Sequence, residues 1–298
     1  MNEIVVKQNI KTAIDKLFTQ RKLYSESKLI FYIRFWVALM IAIFIPILAS
    51  VLPEQKNYFA LFSVVYLLIE VILEKIEKNK RSNAAKVQEL FDTEVFCLNW
   101  NSVVAGQKPD QELISNYILK ETGKDVKALN NWYPTEISKL SRNQAVIICQ
   151  RANVWWDSTL RNKLVSFSFI FLVILTFLAV VLNIHKTLGT FLIVIIPLVP
   201  LYKVVINQIV SHKNSIRRLD FLKEKIDQMI ESKTQASMCD ADLRLIQDEI
   251  FRHRTENQPV PDFFYKIFRD KSEKIMNITA EQYIEKILYA ESENRQSQ

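Results

Sequence analysis

Four apolar runs, paired by links too short to do anything but turn back, constrain this chain more than any other feature. Residues 35–52 hold eighteen positions without a charge and residues 164–182 hold nineteen. An uncharged run of eighteen or more can cross a bilayer as a helix. Residues 58–73 are interrupted only by Glu70, and the fourth run, 188–202, continues past Lys203 to Val210. The five-residue links 53–57 and 183–187 force antiparallel returns, giving two hairpins. Buried helices of a soluble core are the competing reading, but residues 165–181 have no polar face. Three glycines in 298 residues leave little material for sheets and tight turns, so the remainder reads as helix. The expected fold is an all-α integral membrane protein: four transmembrane helices in two hairpins, with a mostly helical cytoplasmic domain built from the central and C-terminal segments.

Lysine and arginine placement sets the topology, because cytoplasmic flanks carry the excess. Lys7, Lys11, Lys16, Arg21, Lys22, Lys28 and Arg34 precede the first run. Lys75, Lys78, Lys80, Arg81 and Lys86 follow the second, and Arg151, Arg161 and Lys163 precede the third. Lys213, Arg217, Arg218, Lys223 and Lys225 follow the fourth, whereas the outer links carry one lysine each, Lys56 and Lys186. The net charge of +7 is thus a topology signal. Both termini and the centre are expected in the cytoplasm of a multi-pass membrane protein, without a cleavable signal, since the first run begins late. The divisions are 1–34 (amphipathic N-terminal helix), 35–73 (first hairpin), 74–163 (cytoplasmic), 164–210 (second hairpin) and 211–298 (C-terminal cytoplasmic helices).

Residues 4–23 carry Val6, Ile10, Ala13, Ile14, Leu17 and Phe18 on one helical stripe, suited to pack on the cytoplasmic domain or lie on the inner leaflet. The second span is expected to run on as helix through residue 91, followed by a β-like apolar stretch over 91–101. A short helix starts at Pro109, residues 131–134 form a rigid loop, and Ser141 with Gln144 makes a capping box. From there one helix enters the third span, bringing Trp155 and Trp156 to the membrane edge. Leu219, Leu222, Ile226 and Met229 form a helix–helix seam. Asp240 caps a helix that Pro259 and Pro261 end, and short helices over 262–268 and 279–290 precede a frayed tail.

Composition excludes much chemistry. Gly106, Gly123 and Gly189 are too far apart for a phosphate loop, a dinucleotide fingerprint or a nucleophile elbow. His185, His212 and His253 are not neighbours in sequence, and Cys97, Cys149 and Cys239 make no C-x-x-C; reduced thiols are the reading. Asp92 and Glu94 form a D-x-E pair, either an ion site or a locally bonded pair, and the second is preferred. No enzyme, metal or cofactor is expected. Within the membrane, Glu70 and Lys203 lie at like depth, roughly 20–25 Å from the outer end. They can pair across the hairpins as a pore lining or gate, or snorkel separately.

Four places stand out in order around the apolar runs: Gln88-Glu-Leu-Phe-Asp-Thr-Glu-Val-Phe-Cys-Leu-Asn-Trp-Asn101, Asn131-Trp-Tyr-Pro134, Cys149-Gln-Arg-Ala-Asn153 with Trp156, Asp157 and Arg161, and Ile246-Gln-Asp-Glu-Ile-Phe-x-x-Arg254 followed by Pro261-Asp-Phe-Phe-Tyr265. In these motifs the chain resembles the SMODS-associating four-transmembrane effector family of bacteria, which implies the bacterial inner membrane as its location. One departure is Cys97-Leu98-Asn99, where a Gly-Leu-Pro-like turn is expected. The resemblance implies a pore-forming effector of antiphage defence, linked to nucleotidyltransferases that make cyclic oligonucleotides. It implies that activation permeabilises the membrane.

The leading functional reading is a homo-oligomeric, toxin-like pore in the lipid bilayer, with no DNA or RNA partner. Arg151, Asn153 and Arg254 offer polar or cationic contacts for a cyclic oligonucleotide, and Trp155 and Trp156 offer stacking faces. The same residues also suit an interface belt with core polar bonding. A non-conducting scaffold recruiting a cytoplasmic partner is the alternative, and a small transporter is disfavoured by the lack of paired broken helices.

Overall fold

The computed structural model describes residues 2–119, 129–181, 184–185, 187, 199–232 and 239–296. No strand occurs among them. The helices are α1 (Ile4–Lys7), α2 (Lys11–Val51), α3 (Lys56–Phe96), α4 (Ser102–Ala105), α5 (Gln111–Ile118), α6 (Arg142–Val181), α7 (Val199–Ser232), α8 (Asp240–Glu256) and α9 (Asp262–Gln296). Short 3-10 turns at Pro53–Gln55 and Thr135–Lys139 join some of them.

The first link is the Pro53–Gln55 turn, after which α3 returns along α2. α6 and α7 pack on one another in the same way. Among the described residues two helical stretches are long and apolar enough to cross a membrane, Lys11–Ile45 and Arg142–Leu178. None of the apolar window of the first is buried within the chain. The first half of α3 is equally bare, with Leu61, Phe62, Val65, Leu68, Ile69 and Ile72 exposed. Much of the fourth run lies outside the described residues.

Beyond the apolar runs the long helices form a helical body together with α8. One core cluster joins Leu17 and Phe18 of α2, Phe91 and Phe96 of α3, Ile147 of α6, Ile226 of α7, Leu243 of α8 and Ile284 of α9. N-terminal, central and C-terminal segments therefore share one hydrophobic interior. α9 runs antiparallel to α6: Phe264 meets Phe167, Ser272 meets Lys163, Tyr283 meets Arg151 and Glu291 meets Gln144.

Four local expectations are corrected. The stretch 91–101 is not β-like. α3 continues through Phe96, and Asp92, Thr93, Val95 and Phe96 are all buried, so the alternation reflects buried polar side chains. The separate helices over 262–268 and 279–290 are one helix, because nothing between them is glycine or proline and the buried Ser272 keeps the inward face continuous. The tail is helical through Gln296. The N-terminal helix is not separate: a break at residues 8–10 divides α1 from α2, and α2 then runs straight into the first apolar run. Its stripe does pack on the core through Ala13, Ile14, Leu17 and Phe18, while Val6 and Ile10 are exposed.

Where the family resemblance leads one to expect glycine, Cys97 adopts φ 57°, ψ 37°, the left-handed region, directly after α3. The amides of Cys97 and Leu98 both donate to the Thr93 carbonyl, closing the helix end as a glycine would. The corner is kept and strained. Cys97 and Cys239 are exposed, Cys149 is buried, and all three are free thiols.

Candidate functional site

The four helices that enter the apolar runs converge on one cavity of about 700 Å³. α2 supplies the wall from Gln20 to Lys28, α3 supplies Arg81 and Gln88, α6 supplies Ala152 to Arg161, and α7 supplies Leu219. The Asn130–Tyr133 loop, the end of α8, the Asn257–Val260 loop and the first half of α9 close it. The volume lies within the usual ligand range of about 300–1,000 Å³.

The lining is electropositive: eight lysines and arginines stand against three carboxylates, Asp157, Asp262 and Glu273. Arg21, Lys28, Lys266 and Arg269 come from α2 and α9, which face one another across it, and Arg81, Arg161 and Arg254 stand on the remaining walls. Tyr24, Trp132, Trp156 and Tyr265 bring aromatic faces to the same space. Trp156 leans on Tyr265, ring centroids 5.8 Å apart. The Oε1 of Gln258, a lining residue, is buried and finds no hydrogen-bond partner among the described residues. A buried acceptor left open costs free energy unless a ligand or water donates to it.

Behind the wall lie two buried polar chains. In the first, Asp92 accepts from Tyr133 Oη (2.7 Å), Gln247 Nε2 (3.0 Å) and Arg254 Nη1 (2.6 Å), and Asn153 Nδ2 donates to Tyr133 Oη at 3.0 Å. Arg244 and Gln247 hold Glu89 at 2.5 and 2.8 Å. Burial raises the Glu89 carboxyl above its ordinary value, and the Arg244 charge only partly offsets this. The D-x-E pair is split, since Glu94 faces Lys16 at 2.6 Å. No group of three metal-ligating side chains occurs among the described residues.

The second chain joins α6, α7 and α8. Asp157 accepts from Arg161 at 2.9 Å and pairs with His253, whose other ring nitrogen meets Asn257; Ser215 of α7 donates to Asn257 as well. Arg161 Nη1 also reaches His212 Nδ1 (3.0 Å) and the Gln258 carbonyl (2.9 Å). Burial opposes ionisation of Asp157, but Arg161 and His253 outweigh it and hold the carboxyl far below the usual range. Burial, with Arg161 alongside, pushes His212 down to about 4. Burial also lowers His253, against the pull of Asp157.

Asn153, Trp156 and Arg254 line the cavity together, the first and last joined through Tyr133 and Asp92. Arg151 and Trp155 line a separate narrow crevice. Arg151 donates to Asp227 at 2.5 Å and lies over the Tyr283 ring at 4.3 Å, fixing α6 to α7 and α9. Glu70 accepts from Arg34 of its own hairpin; Arg34 also approaches Glu74 and Glu77, both at 3.4 Å. Lys203 lies on α7, and its side chain is outside the described residues. Sequence reasoning missed Arg21, Lys266, Arg269 and the His212–His253 chain. The i,i+4 pair Asp157 and Arg161, already singled out by the resemblance, was the one available signal for the last.

The description "SMODS-associating 4TM effector domain" matches residues 2–283 of this chain. A probable CBASS effector molecule of Bacillus cereus (strain VD146) is 27% identical over 288 residues, covering 91% of this chain and 94% of its own length. No solved structure matches.

Proposed function

The chain belongs to the SMODS-associating 4TM effector family, and we propose that it is a membrane effector of CBASS-type antiphage defence, a pore that opens when a cyclic oligonucleotide enters the cavity. Its runs 35–52, 58–73, 164–182 and 188–210 cross the bacterial inner membrane as two hairpins, with both termini and the body in the cytoplasm. Four helices enclose little room for water, so the conducting state is a homo-oligomer. No catalytic step is required of it.

One observation carries the reading: each of the four helices that enter apolar runs contributes side chains to the cavity wall. A ligand bound there touches the levers of both hairpins. Cations suit phosphates, and Trp156, Tyr265 and Tyr24 suit base faces. Asn153, Trp156 and Arg254 are the proposed ligand contacts, with Arg151 and Trp155 holding α6 in register behind them. Glu70 and Lys203 are the proposed gate residues, Glu70 through Arg34.

The test is dye release from liposomes carrying the full-length protein, against a panel of cyclic di- and trinucleotides. Release triggered by one nucleotide is expected, and the doubly substituted Arg21→Gln/Lys266→Gln protein should need at least about tenfold more of it, since a hydrogen bond to a charged group is worth about 1.5–3 kcal/mol. Constitutive release keeps the pore and moves control to a partner. No release from confirmed inserted protein sinks the pore reading in favour of a non-conducting scaffold.

A further inference from the structure

The start of α9 carries large apolar side chains that the described residues leave exposed. Phe263 is 55% exposed and Ile267 67% exposed, one turn apart on the same face. Their neighbours fix their height against the apolar runs. Phe264 packs edge-on against Phe167, three residues inside the third run, with ring centroids 5.4 Å apart. The carbonyl of Pro259 accepts from the Tyr32 hydroxyl at 3.5 Å, three residues before the first run begins. Three helical residues rise roughly 5 Å. The tip of α9 and the loop before it therefore lie at the inner boundary of both hairpins at once.

The charges there fit that level. Asp262, the acid at the tip, is held by Lys28 at 2.6 Å and by Ser25 at 3.2 Å. Lys266 and Lys271 are exposed, and Lys163 covers the Phe268 ring at 4.2 Å. Aromatic side chains beside lysines, level with the end of a span, are the composition of a membrane interface.

We propose that the tip of α9, led by Phe263 and Ile267, is an anchor inserted into the inner leaflet at the headgroup–acyl boundary, its partner being the lipid surface. The inference rests on the membrane-spanning reading above. Tyr265 and Arg269 of the same two turns line the cavity. One helix end thus touches the ligand space on one face and lipid on the other.

The test uses full-length protein in liposomes, with Cys97→Gly and Cys239→Ser to clear the exposed thiols. Single spin labels are attached after Phe263→Cys, Ile267→Cys, Phe169→Cys or Tyr289→Cys. Collision with oxygen, which concentrates in lipid, is compared with collision with a water-soluble nickel complex. Phe263→Cys and Ile267→Cys should give an oxygen-to-nickel ratio several-fold above that of Tyr289→Cys, which sits exposed at the far end of α9. A ratio at position 263 equal to that at 289 overturns the anchor. So does low accessibility to both reagents at 263 with dipolar broadening, which means a second copy covers the patch. Phe169→Cys, exposed within the third run, separates the two failures. If its label favours oxygen while position 263 does not, only the anchor falls; if it favours nickel, the membrane reading falls with it.

Discussion

Phe62 and Phe91 lie on the same helix, α3, roughly eight turns apart. Phe62 is 55% exposed, whereas Phe91 is fully buried and stacks near Tyr133. The hairpins and the body are made of the same continuous helices but are held by opposite means. In the body, side chains of one chain bury one another, and buried polar chains specify which helix meets which. In the hairpins most of the described apolar side chains face outward, and the polar ties between helices include Arg34 to Glu70, Tyr66 to the Arg34 carbonyl, and Thr176 with Tyr202. The body is a folded protein in the ordinary sense; the hairpins are completed by what surrounds them. That division suits a switch, since a loosely tied part can rearrange while a tightly tied part reads the signal.

The largest effect should come from breaking the contrast on α3 itself. Phe91→Ala should cost about 3–5 kcal/mol through lost burial and a residual cavity. Phe62→Ala, made where the side chain is more than half exposed, should stay within about 0.5 kcal/mol. Thermal melts of the detergent-solubilised protein check both. Equal losses would mean that the apolar half of α3 has a fixed packing partner and that the contrast is wrong.

Acid should act on the body through His212. Its folded value of about 4 lies below the unfolded 6.5, so above pH 6.5 neither state takes a proton. As pH falls below 6.5 the unfolded chain binds the proton first, and stability is lost until about pH 4. The loss approaches about 3 kcal/mol, at 1.36 kcal/mol per unit. His253 adds in the same direction. His212→Gln should flatten the part of the melting-temperature profile between pH 6.5 and 4 that belongs to this ring. An unchanged slope would place the titration elsewhere.

In the hairpins the informative change is Glu70→Gln. Arg34 keeps Glu74 and Glu77 but loses its closest partner, and the tie between α2 and α3 slackens. A resting-state tie worth the lower end of the usual coupling energies shifts half-maximal dye release by about fivefold toward lower nucleotide. Release at the wild-type concentration would remove Glu70 from the gate.

How much of this was legible in the sequence follows the same division. The helices and the inward stripe of α2 were readable because they are local and periodic: apolar residues recur at helical spacing, and breakers such as Pro259 and Pro261 mark the stop before α9. The continuity of α9 was not, because residues 269–278 have a weak apolar period and the helix there rests on packing against α6. The cavity was half legible. Asn153, Trp156 and Arg254 stood out as polar and aromatic residues in otherwise apolar helices, but Arg21, Lys266 and Arg269 look like ordinary solvated charges until α2 and α9 are brought together. Contacts across more than two hundred residues, such as Lys28 to Asp262, leave no periodic trace.

Cys97 gives the smallest effect and tests the body's construction most locally. The left-handed conformation costs a residue with a Cβ about 1–2 kcal/mol relative to glycine, which adopts it freely. Glycine also carries more chain entropy in the unfolded state, which returns part of that gain. The thiol accepts a hydrogen bond from Lys7 Nζ at 3.0 Å, but the site is exposed and that contact is worth little. Cys97→Gly should therefore raise stability by about 1 kcal/mol, while Cys97→Val, branched at Cβ in a backbone region that tolerates branching badly, should lower it. If glycine left the melting temperature unchanged and valine lowered it no more than alanine, the corner would not be held in this conformation. The closing bonds from Cys97 and Leu98 to Thr93 would then not be what ends α3.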